Sequence, residues 1–117
     1  MVVMDEAAIR AVASPRRRQI LRLVWDEELA SGEIAARFDV SWPAISQNLR
    51  VLEDAQLIRC RHAGTARFYR ADRQRLRPLK AILTAMWETD LDRLAELNLE
   101  RRQLHDRLTL IEMDLGL

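Results

Sequence analysis

Between residues 41 and 71 the spacing of apolar residues changes once, and that change constrains the chain more than any other feature. In "SWPAISQNLRVLED" (41–54), Ile45, Leu49 and Leu52 recur at i, i+4 and i+7, which places them on one face of a helix. Ser41 is a good N-cap and Pro43 falls in the first turn, where a missing N–H is harmless. Pro43, Ser46, Gln47, Arg50 and Asp54 lie on or beside the opposite face. From residue 58 the period becomes two. In "LIRCRHAGTARFYRAD", Ile58, Cys60 and His62 point one way and Arg59 and Arg61 the other, and the alternation resumes through Arg67, Phe68, Tyr69 and Arg70 beyond a turn containing Gly64. A capped amphipathic helix running into a basic β-hairpin is the result, and such a hairpin must lean on helices to be stable.

The remainder reads as helix. Only three Gly and three Pro interrupt 117 residues, of which 49% are hydrophobic and 32% charged, enough for one compact domain. Residues 5–13 form a short helix that ends before "SPRRR", where Ser14 caps a second helix over about 15–26 that turns Ile20, Leu21, Leu23 and Val24 inward. Arg16, Arg17 and Arg18 then occupy a first turn whose dipole disfavours them; they are either solvated or face an anion. "LASGEIAARFDV" gives a third helix, with Ser31 as N-cap and Ile34, Ala35 and Phe38 along it. Two short helices joined by the tight "FDVS" connection outline a helix-turn-helix. From Gln74 a long helix begins, with Pro78 near its start. Two heptad-spaced sets in it, Trp87, Leu94, Arg101, Leu108, Leu115 and Leu83, Asp90, Leu97, Leu104, Ile111, are mostly apolar, as in a partner-facing seam. A helix over 74–115 would span roughly 60 Å at ~1.5 Å per residue, so it either breaks near "LNLERR" or packs on a second chain; dimerisation is expected through Leu83, Trp87, Leu94, Leu97, Leu104 and Leu108.

Charge is segregated. The chain's net charge is only +1, yet residues 44–80 carry nine Lys/Arg against three acids, and residues 81–117 carry four against eight. The middle is suited to a polyanion. A single cysteine, Cys60, excludes an internal disulfide, no secretory leader is evident, and no window is long and apolar enough to span a membrane, so a cytoplasmic protein is expected. No G-x-S-x-G, phosphate-cradling glycine loop or H-E-x-x-H is present, and Asp90 and Asp92 sit on different sides of a helix, so no enzyme is expected.

The order helix, helix, helix-turn-helix, basic hairpin, long helix resembles a winged helix-turn-helix, mainly α with a small β-hairpin and a long C-terminal dimerisation helix. More narrowly, "VSWPAISQNLRVLEDAQLIRCRHAGTARFYRAD", together with "VASPRRRQILRLV", is similar to the ArsR family of bacterial transcriptional repressors, over about residues 8–95. The resemblance implies a DNA-binding domain over 1–95 and a helical extension, 96–117, belonging to the dimer interface. It implies a homodimer on an imperfect palindrome, released by an effector that is a small molecule, a protein or absent. It makes residues 31–38 the positioning helix, 42–54 the recognition helix and 57–71 the wing. Ser41, Trp42, Pro43, Ser46, Gln47 and Arg50 then face the major groove, where Gln suits adenine and Arg suits guanine or phosphate. Trp42 touches either the DNA or the preceding turn. Arg59, Arg61 and Arg67 are the wing's phosphate or minor-groove candidates, Arg61 and Arg67 foremost.

Two positions depart from the family pattern. Gln56 stands where glycine commonly ends the recognition helix, so it must take a left-handed conformation or the helix must end differently; Asn48 stands where His is frequent. The family's familiar metal sites also lack their ligands. Ala30, Ser31 and Gly32 replace the paired-thiol segment, and Glu88, Asp90 and Asp92 have no nearby His. No metal or other cofactor is expected, although Cys60 and His62 share a strand face. An alternative role is a protein-interaction module acting through the acidic C-terminal helix.

Overall fold

The computed structural model describes residues 6–90 and Leu108. The chain divides into two compact units, Met1–Trp87 and Glu88–Leu117. The expected boundary after residue 95 and the expected interface residues Leu94, Leu97 and Leu104 lie outside the described residues; Leu108 is helical and exposed. In the first unit, α1 (Glu6–Val12), α2 (Pro15–Leu23), α3 (Ser31–Ala35) and α4 (Trp42–Asp54) surround a three-stranded antiparallel sheet in the order β1-β3-β2, made of β1 (Leu29–Ala30), β2 (Ile58–Ala63) and β3 (Ala66–Ala71). A short α5 (Arg73–Leu76), a 3-10 turn (Arg77–Leu79) and helix from residue 80 follow. Among the described residues no helix is long and apolar enough to cross a membrane.

The four helices and the hairpin read from sequence are present. α4 runs over 42–54, with Ser41 Oγ accepting from the Ala44 N–H at 3.4 Å and Ile45, Leu49 and Leu52 buried. The hairpin pairs Ile58 with Ala71 through Ala63 with Ala66 around Gly64, whose φ of 63° is the positive value that a tight hairpin turn wants there. α2 stops at Leu23, short of the expected 26, because Asp26, Glu27 and Glu28 follow and acids at a helix C-terminus oppose its dipole. Ser31 is the first helical residue, not the N-cap. Ala30 takes that place, being extended and paired with Phe68, and its N–H donates to Glu33 Oε1 at 3.0 Å.

The arginines of "SPRRR" have partners of a kind not weighed above. Arg17 Nε donates to the Ala11 carbonyl at 2.7 Å and its Nη2 to that of Arg10 at 3.0 Å; Arg18 Nη1 donates to Val12 and Ala13, both at 3.0 Å. These are the carbonyls of the last turn of α1 and of Ala13 just beyond it, where a helix runs out of its own N–H donors. Arg17 and Arg18 therefore belong to the fold and are neither solvated nor awaiting an anion.

Gln56 does take the left-handed conformation, with φ 62°. Its N–H bonds the Glu53 carbonyl at 2.9 Å, and the Leu57 N–H reaches back to Leu52 at 3.0 Å, a Schellman cap sealed by two fully buried leucines. Left-handed backbone disfavours a side chain by about 1–2 kcal/mol, partly offset in a glycine variant by a more flexible unfolded chain. Gln56→Gly should therefore stabilise the domain by about 0.5–1 kcal/mol in urea denaturation.

Leu83 and Trp87 correct the expected seam. They are 0% and 6% exposed within the chain itself, continuing the inward row of Leu76 and Leu79. Trp87 Nε1 donates to the Arg18 carbonyl at 2.8 Å, and its ring meets Trp25 edge-on at 5.4 Å. A heptad count cannot tell a helix face that serves a partner from one that serves the chain's own core. Among the described residues 80–90, the large apolar side chains left exposed are Ile82 and Met86, 50% and 38% exposed.

Asp72, at the junction of wing and α5, carries a pH signature. Burial acts to raise its carboxyl pKa, but the Arg75 N–H (3.1 Å) and the Arg59 guanidinium (3.0 Å) outweigh it and hold the carboxyl below its ordinary 3.8. A depressed folded value means that the contribution is present above the ordinary pKa and is lost as pH falls through the folded one. Wild type should lose more urea resistance than Asp72→Asn between neutral pH and the acid side of 3.8. An equal loss in both would remove Asp72 from the acid response.

Candidate nucleic-acid interface

α3 and α4 meet through a short connection, and the outer face of α4 is bare. Ser41, Trp42, Pro43, Ser46, Gln47 and Arg50 are all exposed, Trp42 by 55%. The helix is held from behind by Asn48, whose Nδ2 donates to the Ala44 carbonyl at 2.8 Å while its Oδ1 accepts from Arg17 Nη1 at 3.4 Å. Asn48 thus ties α4 to the arginine that caps α1.

Arg67 projects from β3 on the face it shares with Tyr69, opposite Cys60 and His62 across the ladder. With Thr65 and Tyr69 it borders a cleft of about 250 Å³ whose other wall is Trp42, Ser46 and Ser31. So Arg67, Trp42 and Ser46 are brought together, one cation facing the exposed edge of α4. Tyr69 forms the buried wall. Burial and the neighbouring Cys60 raise its phenol pKa, with Arg67 acting in the opposite sense.

Arg61 lies elsewhere. Alternation turns it to the other face of the sheet, where it is bidentate to Glu28 (Nη2–Oε1 2.6 Å, Nε–Oε2 3.1 Å) and sits 4.7 Å from the Phe68 ring. The Glu28 carboxyl is held below its ordinary range chiefly by that hydrogen bond. Arg59 is likewise paired with Asp72. Of the wing arginines named from sequence, Arg67 alone borders α4. Glu28 was not singled out from sequence; an acid 33 residues from its partner leaves no local signal.

Cys60 Sγ and His62 Nε2 are 3.8 Å apart, with Cys60 half-buried and His62 exposed. Among the described residues no three His, Cys, Asp or Glu side chains converge as a metal site would need.

Helix-turn-helix, sheet and hairpin together make a winged helix-turn-helix, a DNA-binding class of regulator. The chain belongs to the arsR family of bacterial regulatory proteins, whose sequence pattern matches residues 14–59. It is 39% identical over 92 residues to the HTH-type transcriptional regulator Rv2034 of Mycobacterium tuberculosis, covering 79% of this chain and 86% of that protein. It is 35% identical over 60 residues to the transcriptional repressor SdpR of Bacillus subtilis, covering 51% of this chain and 67% of the relative. Among solved structures, the homodimeric winged helix-turn-helix DNA-binding domain of Mb0332 from Mycobacterium bovis superposes with a TM-score of 0.61 at 26% identity, over 75% of this chain and 91% of that one.

Proposed function

We propose that this protein is a homodimeric, autoregulatory repressor that reads an imperfect palindrome with α4 and grips the flanking backbone with the wing. The observation that carries this reading is the bare outer face of α4, with Gln47 and Arg50 exposed and Arg67 facing its N-terminal edge from the wing. Ser41 and Pro43 define the entry of the helix. Gln47 has the amide to pair with adenine, Arg50 the fork for guanine or phosphate, and Arg67 the charge for backbone. Repression is supported by the Bacillus subtilis relative, and the dimer by the Mycobacterium bovis domain. Ile82 and Met86 supply apolar surface for the second copy, and two recognition helices then address half-sites about 34 Å apart. The reading requires no metal.

Fluorescence anisotropy against a duplex from the gene's own upstream region, beside a scrambled duplex of equal length, tests it over a range of salt. Selective binding with a steep salt dependence is expected, since each neutralised phosphate adds roughly one to the slope. Equal weak binding to both duplexes would refute autoregulation, and a footprint over one isolated half-site would refute the symmetric dimer.

A further inference from the structure

The basic charge of residues 44–80 is divided between two surfaces. Arg50 and Arg67 belong to the α4 side, whereas Arg59 and Arg70 face each other across the ladder on the opposite sheet face. From there a basic stripe continues past the wing root. One shallow cleft is lined by Arg59, Arg70 and Arg73 together with Asp72, the partner of Arg59; the adjoining one, of about 480 Å³, is lined by Trp25, Arg73, Gln74, Arg77 and Lys80, with no acid.

That second cleft has an unusual lining. Asp72 caps α5, and Pro78 lies in the 3-10 turn before the helix from residue 80, so Arg73, Arg77 and Lys80 come from three successive elements and line one cleft. Arg73 lies 3.5 Å from the solvent-exposed Asp26 and directly follows Asp72 in the chain; among the described residues Arg77 and Lys80 form no ion pair. Like charges lining one cleft repel one another, and an anion bound between them relieves that repulsion. The remaining wall is the indole of Trp25, held by its edge-on contact with Trp87.

Three cations beside an aromatic wall match a ligand with clustered phosphates at one end and a flat ring at the other. Duplex DNA satisfies only half of that lining, because its bases are stacked inside and cannot reach an indole. We propose that this cleft binds a nucleoside di- or triphosphate, with the phosphates on Arg73, Arg77 and Lys80 and the base against Trp25. The site joins the end of α2 to the root of the wing, where the Ala71 N–H already bonds the Val24 carbonyl at 2.9 Å. It is separate from the α4 surface.

Calorimetric titration of the full chain with ADP, in the absence of DNA, tests the proposal, with inorganic pyrophosphate and a short duplex of unrelated sequence titrated in parallel. Saturable ADP binding at one site per chain is expected, weakened about tenfold or more by Arg77→Ala with Lys80→Ala, both exposed positions. Pyrophosphate should bind several-fold more weakly, since it lacks the ring. No saturable ADP binding, or binding indifferent to the double variant, overturns the proposal. Equal affinity for ADP and pyrophosphate overturns the role of Trp25. Loss of duplex affinity in the double variant, without any ADP binding, assigns the stripe to DNA backbone instead. Because ADP is titrated without DNA, failure here leaves the operator reading untouched, and failure of that reading leaves this one standing.

Discussion

A triple variant, Gln47→Glu, Arg50→Glu and Arg67→Glu, should lose selective binding to operator DNA by about a thousandfold while keeping its helical spectrum and thermal midpoint. All three side chains are exposed, and none makes a contact on which the core depends. In the proposed docking each substitution removes donors and adds a negative charge beside base edges or phosphates, so the losses compound. The single variants should separate in kind. Gln47→Ala should relax preference at one base pair and leave the salt slope alone, whereas Arg67→Ala should lower affinity for every sequence and reduce the slope by about one. Arg61→Ala is the informative control. Its guanidinium is committed to Glu28 and stacked near Phe68, so its loss should alter DNA binding far less than that of Arg67. Selective binding that survives the triple variant would move the reading surface elsewhere.

The contrast between Arg61 and Arg67 also marks where sequence reasoning reached its limit. Local signals were legible. A Ser cap with Pro in the first turn, apolar residues three and four apart, and a change to period two over a Gly-bearing turn all act within a few residues, and α4 and the hairpin formed where those signals lie. At Gln56 the sequence left two outcomes open, a left-handed residue or a different helix end, and the chain takes the first. Long-range pairings were not. The two-residue β1 exists because Leu29 and Ala30 find Tyr69 and Phe68, some forty residues on, and too short a strand shows no alternation of its own. Arg17 and Arg18 look like a solvated basic run until the preceding helix places its last carbonyls over them. Charge counting located a polyanion-suited third of the chain, but register alone decides which cations share a face with α4.

Trp87 gives the sharpest test of that distinction between core and interface. Trp87→Ala should cost about 3–5 kcal/mol, a large share of the stability of a domain this size. The indole fills space against Trp25, lies 5.7 Å from the Arg22 guanidinium, and its N–H satisfies the Arg18 carbonyl. Trp87→Phe keeps most of the volume and leaves that carbonyl without its indole donor, so a smaller loss of about 1–3 kcal/mol is expected. Because the residue is buried in its own chain, the Trp87→Phe deficit, measured by urea denaturation, should be the same at all protein concentrations. Ile82→Glu with Met86→Glu should behave in the opposite way. Those side chains stand in solvent, so the monomer should fold as before while sedimentation shows weakened self-association, and any stability deficit should vanish under dilution, where the dimer has already dissociated. If the Trp87→Phe deficit instead disappeared on dilution, Trp87 would belong to the interface and the inward packing of this helix would be wrong.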